Sequence, residues 1–129
     1  GSCEGNGDDI GAGSCHGLHA CENNTAPVGN GSCIGALSCS LNEGEIGNRS
    51  CSHLEAEDNG SCELNRGSIG SDSCNGEMAC YNNTGTIGDN SCNGPFACTN
   101  NAVEIGSGSC DGMNTCNTFT KSVGDIFIA

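Results

Sequence analysis

Large side chains are nearly missing from this chain. Its 129 residues include no Trp, one Tyr, three Phe and two Met, against 22 Gly. Glycine cannot fill an interior, so stability from a conventional apolar core is excluded. Positive charge is scarce too: Lys and Arg together number three, Asp and Glu 16, and the formal net charge is −13. Such a balance disfavours nucleic acid and anionic membrane surfaces as partners. No apolar run approaches the ~20 residues of a spanning helix, so membrane insertion is not expected. Cys-x-x-Cys pairs are absent and the three His keep no repeating place, which argues against zinc. The residue in excess is cysteine, 13 in all. At about 10% of the composition it points to a disulfide scaffold in an oxidising compartment. Extracellular or cell-surface placement is therefore expected, with any targeting segment removed or outside these residues.

The second feature is periodicity. Ile10-Gly11, Val28-Gly29 and Ile46-Gly47 open units of 18 residues. A unit of 23 leads to Ile69-Gly70, after which Ile87-Gly88, Ile105-Gly106 and Val123-Gly124 resume the period. Repeats of this length form stacked coils that offer columns of like residues, not one assembled pocket. The fold class expected is all-β: a parallel β-solenoid over 1–129, with about six coils and one insertion.

Aligned on the repeat, the columns are regular. Aliphatic residues stack at Ile10, Val28, Ile46, Ile69, Ile87, Ile105 and Val123. Asn6, Asn24, Asn42, Asn65, Asn83 and Asn101 form another column. An inward Asn at a bend can bond its amide to the Asn of the next coil and to backbone groups left unpaired by the turn. Cysteines fall in pairs: Cys15/Cys21, Cys33/Cys39, Cys74/Cys80, Cys92/Cys98 and Cys110/Cys116, with Cys51/Cys62 the same pair split by an insertion. A bridge inside each coil is favoured; rungs between neighbouring coils, ~4.8 Å apart, are the alternative. Closing so short a loop contributes about 2 kcal/mol per bridge in the chain-entropy model. Cys3 holds the phase of a second cysteine without a first, and is left unpaired or intermolecular.

The unit I-G-x-x-S-C-x-G-x-x-A-C-x-x-N resembles the Cys/Gly/Asn-rich repeat proteins of microalgae, over residues 2–124. The Cys-x5-Cys bracing is similar to that of insect β-solenoid antifreeze proteins. The first resemblance implies secretion and a surface or structural role. The opening I-G-x-x-S also resembles the hexapeptide rule of left-handed parallel β-helices; His16, Asn75, Asn93 and Asp111 depart from it, and handedness stays open.

Two stretches break the pattern. Residues 52–60, acidic and containing His53, are expected to bulge as a loop. At the other break, residues 123–129 replace the repeat Ser and Cys by Phe127 and Ile128. They are expected to form an apolar strand, with Ile126, Phe127 and Ile128 as assembly residues. Residues 1–9 would supply the back of a coil and 123–129 the front of one, so that two copies complement each other head to tail.

Catalysis is not expected, because no acid, base and nucleophile converge. Ice binding needs a file of Thr, and Glu43/Glu45, Arg66/Ser68 and Ala102/Glu104 interrupt Thr25/Pro27 and Thr84/Thr86. Glu4, Glu22 and Glu63 follow the second cysteines and leave Ca²⁺ open; no other cofactor is expected. Asn23, Asn30, Asn48, Asn59 and Asn82 are N-x-[ST] glycosylation sites. Asn23 and Asn82 should face solvent, since each precedes an inward Asn. The function expected is an extracellular structural repeat protein, glycosylated and assembling with itself into a fibril or surface layer. Alternatives are a module binding ice or polysaccharide, or a segment of a larger cell-surface adhesin.

Overall fold

The computed structural model describes residues 2–54 and 60–118. Six successive coils open at Ile10, Val28, Ile46, Ile69, Ile87 and Ile105, and each lies on the one before. Positions are counted below from these residues, allowing for the insertion in the third coil.

The expected β-solenoid is not what forms. Among the described residues there is no helix and no strand; parallel pairing is confined to single bridges joining Ile10 to Val28 and so on up to Ile87 with Ile105. Left-handed backbone is the first reason. Twenty non-glycine described residues have positive φ, between 47° and 61°. They recur at four places per coil: position 4 (Arg49, Asp72, Asn90), position 6 (each first cysteine), position 10 (Leu37, Met78, Phe96) and position 14 (Leu41, Leu64, Asn82). A strand cannot pass through such a residue. Each carries roughly 1 kcal/mol or more of conformational cost. The stack compensates, because a left-handed turn aims the N–H along the axis. Arg49 N donates to Asn30 O, Leu37 N to Leu18 O and Leu41 N to Glu22 O in the preceding coil, while Cys33 N donates to Ser50 O in the following one.

Side chains supply the second reason. The segment from Asn24 to Val28 alternates buried and exposed residues as a strand would. Its carbonyls are nevertheless taken. Asn24 Nδ2 donates to Ala26 O at 2.6 Å, and Asn42, Asn65, Asn83 and Asn101 do the same two residues onward. The carbonyls of Gly29, Gly47, Gly70, Gly88 and Gly106 accept from Ser14, Ser32, Ser50, Ser73 and Ser91 of the coil below. The aliphatic position bonds the coil below through both of its backbone groups: Val28 N donates to Asp9 O, and Val28 O accepts from Gly11 N.

The interior is accordingly small and half polar. Ile46, Ile69, Ile87 and Ile105, the cystines, small residues such as Ala79 and Ala97, and the Asn and Ser columns are buried together. Leucine and methionine are displaced outward: Leu18, Leu54 and Met113 are 67–79% exposed. Close approach of coils requires glycine at position 2. A Cβ on Gly29 would stand 2.6 Å from Gly47 C and 2.7 Å from Asn48 N.

Candidate functional site

The cystines form the axis of the stack. The structure joins Cys15 to Cys21, Cys33 to Cys39, Cys51 to Cys62, Cys74 to Cys80, Cys92 to Cys98 and Cys110 to Cys116, with Cα separations of 5.4–5.7 Å. The left-handed first cysteine turns the chain back toward the second, so bridges close inside coils and not between them. The five extra residues in the third coil sit between Cys51 and Cys62 and leave their Cα spacing at 5.5 Å. Sulfurs of Cys98, Cys110 and Cys116 lie within 4.8 Å of one another. All three are in cystines and offer no thiolate to a metal. Cys3 is free and exposed.

The Asn column runs beside the cystines. Asn24, Asn42, Asn65, Asn83 and Asn101 have no exposed surface. Each Nδ2 donates to the Oδ1 of the Asn one coil earlier, at 2.6–2.9 Å, down to Asn6. All the amides point the same way, which gives the stack a direction. The Ser column is parallel to it. Ser32, Ser50, Ser73 and Ser91 are buried, and each hydroxyl accepts from the next Ser N–H while donating to a glycine carbonyl. Sequence reasoning placed this serine in the repeat without giving it a task; its invariance through the chain beside an exposed turn was the available signal.

A third set of side chains works at the outer corners. Asn30 Oδ1 accepts from Ala12 N, Asn48 Oδ1 from Asn30 N, and Asp89 Oδ1 from Ser71 N. Asn75, Asn93 and Asp111 do likewise for Ser52, Asn75 and Asn93. Asn75, Asn93 and Asp111, which break the hexapeptide pattern, thus satisfy backbone donors at bends. Ser61 Oγ is buried without a partner. The equivalent Ser38 donates to a carbonyl three residues upstream, a place that for Ser61 falls outside the described residues.

Charge is used sparingly. Both arginines belong to the third coil and tie it to its neighbours. Arg49 meets Asp72 of the fourth coil through two 2.7 Å bonds, and Arg66 stands 3.7 Å from Glu43 of the second. The bond from Arg49 holds the Asp72 carboxyl below its ordinary range, and that pairing raises Arg49. Burial pushes the Glu63 carboxyl up, partly offset by the N–H of Gly60. The acids considered for Ca²⁺ do not converge: Glu22 contacts His19, Glu63 accepts from Gly60, and buried Ser40 stands between their coils. An open groove of about 420 Å³ runs over the first coils, lined by Asp9, Gly11, Pro27, Glu45, Gly47 and Asn48 among others. The hydroxyl in its lining, Ser71 Oγ, accepts from Asn48 N at 3.3 Å.

Of the glycosylation sites, Asn23, Asn30 and Asn48 are exposed and Asn82 is half-buried, with its Nδ2 donating to Asn100 Oδ1 at 2.8 Å. Asn59 and the assembly residues Ile126, Phe127 and Ile128 lie outside the described residues, as do most of the loop expected over 52–60 and all of the strand expected over 123–129.

A family model for a domain of unknown function (DUF7640) matches residues 1–61 and again 53–128. The chain belongs to the DUF7640 family. The two copies overlap in the third coil. No curated protein and no solved structure matches the chain. Its six buried cystines place it with proteins of an oxidising, extracellular environment. Among the described residues, no helix is long and apolar enough to cross a membrane.

Proposed function

We propose that the chain is an extracellular, glycosylated structural repeat protein, a stiff segment that joins to further copies of itself along the coil axis in a fibril or surface layer. The observation that carries this reading is the sameness of the junctions. From the coil of Ile10 to that of Ile87 each coil is held to the next by the same Asn amide bond, Ser hydroxyl bond and paired backbone bonds at the aliphatic residue. The Asn bonds all run from the later coil to the earlier one and the bridges are all parallel, so the two ends of the stack differ. A contact of that kind between chains is head to tail and does not close on itself. The absence of convergent chemistry among the described residues suits a load-carrying role better than catalysis, and no cofactor enters the reading.

Self-repulsion of a −13 chain opposes assembly, so added salt should promote it. Sedimentation and electron microscopy of the oxidised chain at rising concentration and salt test the proposal. Unbranched filaments one stack wide are expected. A species that stays at 12.9 kDa throughout overturns it.

A further inference from the structure

The N-x-[ST] sites fall into two classes that sequence alone does not separate. Asn23 and Asn82 stand at coil position 14, and their threonines, Thr25 and Thr84, are exposed. Asn30 and Asn48 stand at position 3 of consecutive coils, and their serines, Ser32 and Ser50, have no exposed surface. Those two hydroxyls are fully engaged. Ser32 Oγ donates to Gly47 O at 2.7 Å and accepts from Ser50 N at 3.1 Å. Ser50 Oγ donates to Gly70 O at 2.7 Å and accepts from Ser73 N at 3.1 Å. The residues between, Gly31 and Arg49, are left-handed. Each site is therefore folded into a tight corner whose hydroxyl faces inward.

The asparagines themselves point the other way. Both are exposed, and both use only Oδ1, accepting from Ala12 N and Asn30 N at 2.8 Å. A sugar on Nδ2 leaves that oxygen and its bond in place. At Asn82 the same substitution would disturb the bond from Nδ2 to Asn100.

We propose that Asn30 and Asn48 are a pair of N-glycan acceptors that the chain offers only before its coils close, after which the fold tolerates the glycans but refuses further transfer. The co-reactant is an oligosaccharide carried on a lipid diphosphate. Nδ2 forms a bond to the anomeric carbon, the anomeric C–O bond to the diphosphate breaks, the diphosphate leaves with the electron pair, and one Nδ2 proton passes to a base of the transferase. Recognition of the acceptor requires the Ser hydroxyl, which stacking withdraws. Formation of the Cys33–Cys39 and Cys51–Cys62 bridges and glycan transfer are then competing events. Glycans on adjacent coils would stand side by side along one edge, next to the groove that Asn48 lines.

This inference rests on the extracellular reading, and the test separates the two. The full chain, once oxidised and once reduced, is incubated with an oligosaccharyltransferase and a lipid-diphosphate oligosaccharide, and occupancy is read site by site by glycopeptide mass spectrometry. Occupancy at Asn30 and Asn48 should be at least tenfold higher in the reduced chain, with a smaller ratio at Asn23. The reduced chain glycosylated at these two sites should regain all six bridges on oxidation. Equal occupancy in the oxidised chain, refusal by the reduced chain, or failure of the doubly glycosylated chain to re-form its bridges overturns the inference. In vitro transfer as described, together with glycan-free protein from the natural source, would contradict the extracellular reading instead.

Discussion

Replacement of Asn83 by Ala is the most informative single perturbation of the stack. Asn83 Nδ2 donates to Asn65 Oδ1 at 2.9 Å and to Gly85 O at 2.6 Å. Its Oδ1 accepts from Gly85 N at 3.2 Å and from Asn101 Nδ2 at 2.9 Å. Truncation leaves the Gly85 carbonyl, the Gly85 N–H and Asn65 Oδ1 without those partners in a buried site; Asn101 Nδ2 keeps Val103 O. Unpaired buried groups cost about 1–3 kcal/mol each. A water in the vacated space recovers part of this, so the expected loss is about 3–6 kcal/mol. Asn6, half-exposed at the start of the column, is the control: its removal takes one acceptor from Asn24, whose Nδ2 keeps Ala26 O, and should cost under about 1 kcal/mol. Guanidinium unfolding with the bridges intact, followed by circular dichroism, measures both. Equal losses for Asn83→Ala and Asn6→Ala would refute the idea that the buried amides hold the coils together.

Gly67→Ala should be far more damaging than Gly13→Ala: a Cβ at 67 meets the Gly85 carbonyl and comes within 2.9 Å of Asn83 Nδ2, whereas one at Gly13 meets open space and carries only the left-handed cost of about 1–2 kcal/mol. Thermal melts of the two variants compare them. Glu63→Gln should raise the melting temperature at pH 7. The folded-state carboxyl is shifted up, so the native state binds the proton more tightly than the unfolded state, and stability falls as pH rises through the window above 4.5. Gln lacks that liability, and its advantage should vanish below that window; a pH-independent difference contradicts the assignment. Full reduction should unfold the chain, since each short bridge contributes about 2 kcal/mol and little apolar surface replaces it. A native circular dichroism spectrum after verified reduction would show that the Asn and Ser columns suffice.

The axial register was legible because Ile10, Val28 and their successors can be superposed only by stacking one coil on another. The cysteine pairs and the inward Asn column share that period; the phase favoured bridges inside coils over rungs between them, and the left-handed first cysteine is what decides it. The backbone between them was misread. Alternation around Asn24 to Val28 is that of a strand, but Leu37, Met78, Phe96 and each first cysteine are left-handed, a conformation that no propensity of these residues announces. Nor does composition reveal that Asn24 and Ser32 take the carbonyls a β-ladder would use. Side-chain hydrogen bonds of this kind compete with regular structure, and here they win at the carbonyl two residues after each Asn and at the glycine that follows each aliphatic residue. The outward placement of Leu18, Leu54 and Met113 was equally hidden, because a core already filled by cystine has no room for them.

Hydrogen-bond scalar couplings by NMR test the stacked side-chain columns most directly. The fold predicts through-bond correlations from Asn83 Nδ2 to the Asn65 side-chain carbonyl and from Gly88 N to the Ile105 carbonyl, each from one coil to the next, with side-chain amide protons of Asn42, Asn65 and Asn83 protected from exchange. Rapid exchange of those amides, or an uninterrupted backbone ladder running through Asn24 to Val28 and its equivalents, would contradict it.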